Sequence, residues 1–194
     1  MNQLRAFVVL GVLLAAPAAA APVVLECGKV VDVRAGAVRQ AVSIRITGNT
    51  IEQLEPGYAT PDDGSEVVDL RAHTCLPGLI DAHTHISSQL SQRSYTERFR
   101  LNPADYALRA ASHARTTLLA GFTTIRDLGD RYNVTVSLRN AINQGVVIGP
   151  RIYTAAKSLA TTGGHADPSN GLRMDLSGDP GPRQGVINSP QDAR

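Results

Sequence analysis

Residues 76–86 read LPGLIDAHTHI, and this stretch decides the fold. It is a short apolar run introduced by Leu76-Pro77-Gly78, the pattern of a buried strand. On a strand, residues two apart share a face, so Asp81, His83 and His85 point together. Strand rise places the two histidine Cα atoms roughly 6.5–7 Å apart, from which two neutral imidazoles can converge on one metal ion. Ala82 and Thr84 turn to the other face. Asp81 reads as an outer-shell or strand-positioning group rather than a ligand.

Downstream, strand and helix patterns alternate. PADYALRAASHARTTLLA (103–120) has apolar residues near helical spacing and stops at Gly121. GFTTIRDL (121–128) is a second strand, and VTVSLRNAINQG (134–145) a shorter helix with its own terminal glycine. RIYTAA (151–156) is a third strand, followed by a long segment rich in Gly, Pro, Ser and Asp from Lys157 to Pro190. Alternating β and α units imply a parallel sheet with helical crossovers. The long loop leaves the C-terminal end of a strand, the side on which such sheets build their sites. Asp127, at the end of the second strand, could reach such a site, and a structural contact is an equal alternative for it.

Upstream, residues 23–75 carry short strands separated by turns, VVLECGKVVDV, AVSIRIT and TIEQLE. Val42, Ile44 and Ile46 alternate with period two, as in a half-buried antiparallel hairpin. Cys27 and Cys75 lie in this part, either as a disulfide or as two buried thiols. Residues 1–20 have the layout of a secretory signal peptide. Arg5 is the basic start, AFVVLGVLLAA (6–16) the apolar run, and small residues follow, with cleavage expected after Ala20. The run is too short to span a bilayer, which takes about 20 apolar residues. The expected location is therefore periplasmic or secreted, with no membrane span after cleavage, and this compartment permits a disulfide.

Composition narrows the function. The 194 residues are 43% hydrophobic, enough for a packed core, and carry 19 basic against 17 acidic side chains. That balance argues against a nucleic-acid partner. Five Tyr, three Phe and no Trp make a poor stacking surface for bases or sugars. There is no nucleophile elbow, no P-loop, and no glycine-rich loop ahead of Tyr153 and Lys157, whose spacing alone would suggest a short-chain dehydrogenase.

In combination and in order, LPGLIDAHTH, then GFTTIRDLGD, then GPRIYTA with TTGGH resemble the metal-dependent amidohydrolase superfamily, in its imidazolonepropionase-related, Xaa-Pro dipeptidase-like branch. The resemblance implies an α/β fold, a (β/α)8 TIM barrel, here truncated to about its first three βα units. Part of a small β-sandwich precedes it, giving a signal peptide over 1–20, sandwich over 21–75 and barrel over 76–194. It assigns metal ligation to His83 and His85, substrate binding to His165, and one or two divalent ions, with zinc the expected metal. It implies amide-bond hydrolysis through a metal-activated water, on a small-molecule or dipeptide substrate, and is compatible with a homo-oligomer.

Zinc takes three or four protein ligands, and the family draws the others from later strands: a bridging lysine, two histidines and a catalytic aspartate. Neither Lys29 nor Lys157 stands where the bridging lysine should, and a barrel needs about 250 residues. The expectation is an N-terminal fragment with no catalytic residue of its own. The competing expectation is a non-catalytic exported sandwich or binding module derived from a truncated amidohydrolase.

Overall fold

The structure is a computed structural model that describes residues 21–62 and 64–194. The signal-peptide reading of residues 1–20 lies outside the described residues. The chain divides into two compact units, one ending at Pro77 and the other beginning at Gly78.

The first unit is a four-stranded sheet in the order β3-β2-β1-β4, built from β1 (Val23–Asp32), β2 (Ala37–Thr47), β3 (Thr50–Pro56) and β4 (Glu66–Cys75). Strands β1, β2 and β3 form an antiparallel meander, whereas β4 returns parallel to β1, pairing Val23 with Glu66 and Val30 with Cys75. Cys27, Val30, Val42 and Ile44 are its buried core. Cys27 and Cys75 are disulfide-bonded, which ties β1 to β4. The period-two expectation for β2 meets one exception, since Ser43 is buried between Val42 and Ile44. Its hydroxyl donates to the Gly57 carbonyl at 3.1 Å and accepts the Ala59 N–H at 2.9 Å, so a polar side chain is tolerated inside.

The second unit carries a parallel sheet in the order β5-β6-β7, from β5 (Leu79–Thr84), β6 (Phe122–Asp127) and β7 (Arg151–Thr154). A single-turn helix α1 (Ser94–Glu97) and the long α2 (Pro103–Leu119) connect β5 to β6, and α3 (Val134–Asn143) connects β6 to β7. Helix α2 starts where Pro103 occupies its first turn and the Asp105 carboxylate accepts the Asn102 N–H at 2.8 Å. Its inward face is small: Ala110 and Ala114, one turn apart, are fully buried against Ile86, Ile125 and Ile152 of the sheet side and Val134 and Leu138 of α3. Small residues there let the helix axis approach the sheet closely.

Gly78 opens β5 against β6. A Cβ at this position would fall 2.0 Å from Thr123 Oγ1 and 2.6 Å from Thr123 Cβ, so the strand can enter the sheet here only with glycine. After β7 the chain forms a long excursion with a short helix α4 (Met174–Ser177), then returns to pair Val186 with Ala160 in an isolated parallel bridge. The unit is α/β, and its three consecutive parallel strands with helical connections are the start of a (β/α)8 barrel arrangement.

Candidate active site

The register of the parallel sheet brings three strand ends into one row, with Thr84 beside Asp127 and Asp127 beside Thr154. At this C-terminal edge stand the side chains singled out in the sequence. His83 is the penultimate residue of β5, and His85 lies one residue past the strand's end. Their ring centroids are 5.7 Å apart and the rings are edge-on to one another. Asp81 sits lower on the same strand, and its Oδ1 accepts the main-chain N–H of His83 at 3.0 Å. Asp81 thus holds the strand's backbone and touches neither imidazole by a hydrogen bond.

His85 Nδ1 lies 3.0 Å from the Gly129 carbonyl oxygen. A carbonyl can only accept, so Nδ1 carries the proton and the Nε2 lone pair is left free. That is the tautomer a metal-ligating histidine adopts when a carbonyl orients its other nitrogen. The pair therefore fits a divalent ion as part of a ligand set. Among the described residues, no group of three His, Cys, Asp or Glu side chains stands together at metal-binding distance.

The DLGD segment that follows β6 builds the floor beneath His85. Asp127 is fully buried, and its two carboxylate oxygens accept main-chain N–H groups, Ile86 at 2.7 Å and Gly129 at 3.0 Å. Burial pushes its pKa above the ordinary carboxylate value, and the Ile86 and Gly129 N–H groups pull it back. Of the two readings for Asp127, the structural one is met, through main-chain contacts. Gly129 has φ +127°, and a Cβ there would lie 2.4 Å from the Ser158 nitrogen. Asp130 accepts from the N–H groups of Tyr132, Val134 and Thr135 at 2.8–2.9 Å, anchoring the first turn of α3. Thr135, fully buried, links through its hydroxyl to Thr154 at 2.7 Å, which joins that turn to the end of β7.

His165 lies in the excursion after β7 and lines the same open cleft as His83 and His85, with a volume of about 1080 Å³. Its loop is organised by the buried Asp167, which accepts the Gly163 N–H at 2.7 Å and both the N–H and the hydroxyl of Ser169. The Ser169 hydroxyl first, then the Gly163 N–H, hold the Asp167 carboxyl below the ordinary range. Lys157 also lines the cleft, with Nζ donating to the Arg183 carbonyl at 2.5 Å. His113 on α2 donates from Nδ1 to the carbonyl of Ile86, the residue after His85, at 3.0 Å.

Residues 74–190 match the amidohydrolase family. Among solved structures, a Xaa-Pro dipeptidase with methionine bound in its active site is 40% identical, with a TM-score of 0.82 over 89% of this chain and 42% of its own. A prolidase complexed with N-methylphosphonate-L-proline is 29% identical, with a TM-score of 0.65 over 80% of this chain and 37% of its own. Ochratoxinase from Aspergillus niger is 34% identical over 98 residues, 50% of this chain and 20% of the enzyme. The chain thus spans about a fifth of that curated relative and less than half of either solved structure. The family match covers more than half of the chain, and with it the paired histidines and the three-stranded sheet: this chain belongs to the amidohydrolase family.

Proposed function

We propose that the full-length protein is an exported, metal-dependent hydrolase of amide bonds, with a dipeptide of the Xaa-Pro type as its substrate. The observation that carries this reading is the His83–His85 pair at the C-terminal edge of a parallel sheet, with the His85 Nε2 lone pair kept free by the Gly129 carbonyl. Family membership and the likeness to a Xaa-Pro dipeptidase and a prolidase support the amide bond and the dipeptide.

In this reading His83 and His85 hold a divalent metal, zinc by choice of donor, together with donors from the part of the protein this chain does not span. The bound ion would supply Lewis acidity for activating water and polarising the amide carbonyl. The remaining work falls to the chain's own groups. Gly129 and Asp127 keep the His85 ring in place, His165 contacts substrate across the cleft, and the loop set by Asp167 presents His165. This reading gives Asp127, with one main-chain N–H on each oxygen, the task of holding His85, and takes the proton-shuttling carboxylate from outside this chain.

The test is hydrolysis of a panel of Xaa-Pro and non-proline dipeptides by the full-length protein loaded with zinc. Selective cleavage of the Xaa-Pro members is expected; cleavage of none of them would reject the dipeptidase reading. Export is tested separately by sequencing the N-terminus of the secreted product, expected to begin at Ala21. A product that retains Arg5 would reject it.

A further inference from the structure

The hydrogen bonds around His85 close into a ring. From the His85 main chain the path runs to the Ile86 N–H, which donates to Asp127 Oδ2 at 2.7 Å. Asp127 Oδ1 accepts the Gly129 N–H at 3.0 Å, and the Gly129 carbonyl accepts the His85 Nδ1 proton at 3.0 Å. The peptide that Asp127 grips is the one joining His85 to Ile86, so one carboxylate fixes both the backbone behind the imidazole and the carbonyl that orients its ring. His113 holds the other side of Ile86, donating to its carbonyl at 3.0 Å. Ile86 itself is buried in the core of the unit.

Asp127 is an unusual choice for a purely structural post. It is fully buried, and none of the ion pairs among the described residues includes it. Burying a carboxylate without a cation is costly. What the carboxylate provides is two acceptor oxygens and no donor, one oxygen for each of two separately placed N–H groups. Asparagine, with the same shape, has a single acceptor oxygen, so in this geometry its NH2 faces one of the two N–H groups.

We propose that Asp127 and His113 are positioning residues that hold His85 in its metal-ligating orientation and tautomer. They act through the Ile86 and Gly129 main chain and touch neither metal nor substrate. The proposal rests on the reading of His85 as a ligand, and the experiment separates the two.

Full-length protein and its Asp127→Asn, His113→Ala and His85→Ala variants are compared for zinc affinity by competition with a chromophoric chelator. The His85 tautomer is read from long-range proton–nitrogen spectra of histidine-labelled apoprotein, and kcat and KM are measured on an Xaa-Pro dipeptide. Loss of a partner of a metal-ligating histidine costs about 10–100-fold in affinity or activity. Asp127→Asn is expected in that range, with kcat falling, KM held, and the His85 proton no longer confined to Nδ1. His113→Ala is expected to weaken zinc less, and it decides the matter should Asp127→Asn fail to fold. Unchanged zinc affinity and unchanged tautomer in these variants, with zinc lost in His85→Ala, would overturn the positioning role alone. Zinc retained by His85→Ala would overturn the ligand reading and the proposal with it.

Discussion

Replacing Gly129 by alanine should disturb stability and the site together. At φ +127° the residue occupies backbone space that side chains rarely enter, and the new Cβ would lie 2.4 Å from the Ser158 nitrogen, 2.5 Å from its Oγ and 3.0 Å from the Lys157 carbonyl carbon. Ser158 would have to retreat by about an ångström, yet its hydroxyl is held by the Leu128 carbonyl at 2.7 Å. A rare φ costs about 1–3 kcal/mol and overpacking about 1–3 kcal/mol, so Gly129→Ala should lose roughly 2–6 kcal/mol. Gly145→Ala is the matched control. Gly145 ends α3 at φ +73° with open space around its missing Cβ, so only the backbone term of about 1–2 kcal/mol applies. Urea unfolding of the full-length variants, followed by zinc titration of the folded protein, measures both consequences. Because the Gly129 carbonyl orients His85, weaker zinc binding should accompany the stability loss only at Gly129. If Gly129→Ala proved no more destabilising than Gly145→Ala and kept its zinc affinity, the packing of Ser158 against the floor of the site would be refuted.

Two further outcomes are expected. The Cys27–Cys75 bond spans a separation of 48 residues, and loop entropy assigns such a closure about 3–4 kcal/mol; replacing both cysteines by alanine should lower the unfolding midpoint of the sheet unit accordingly, and an unchanged midpoint would contradict this. Asp167 has its pKa depressed in the folded state from the ordinary 3.8, so its contribution is present above that value and lost as pH falls through the folded pKa. Hydrogen-exchange protection factors over residues 161–170, taken relative to the intrinsic rate at each pH, should therefore fall in acid in the parent protein, and already be low at neutral pH in Asp167→Asn; a loop whose protection is indifferent to both changes would exclude Asp167 as its organiser.

What the sequence disclosed follows the range of the forces involved. Helix α2 was legible because its signals are local: Pro103 and Asp105 at the start, Ala110 and Ala114 one turn apart, Gly121 at the stop. The β5-α2-β6-α3-β7 order was legible for the same reason, and with it the sheet edge where the histidines stand. The parallel return of β4 beside β1 was not, because a parallel pair has no connecting turn to mark it. Nor was the burial of Ser43, whose partners lie 14 and 16 residues away. In the site, His83 and His85 were legible from their shared strand face together with the LPGLIDAHTH context and the family resemblance it carries. His113 was invisible because its partner is a carbonyl 27 residues earlier in the chain. Asp127 was ambiguous because no sequence pattern tells a carboxylate that grips two main-chain N–H groups from one that faces substrate. The excursion after β7 read as a site-forming loop without regular elements of its own, yet it is held by Asp167 and by the pairing of Ala160 with Val186.

The most direct measurement is the metal content of the full-length protein and of its His83→Ala, His85→Ala and His73→Ala variants after zinc loading and exhaustive dialysis. His73 lies on β4 in the other unit and serves as the control. Stoichiometric zinc in the parent and in His73→Ala is expected, with zinc lost from both site variants. Amide hydrolysis should fall with it by orders of magnitude, since without the ion no nucleophile forms near neutral pH. Site variants that kept their zinc and their rate would contradict the account at its centre.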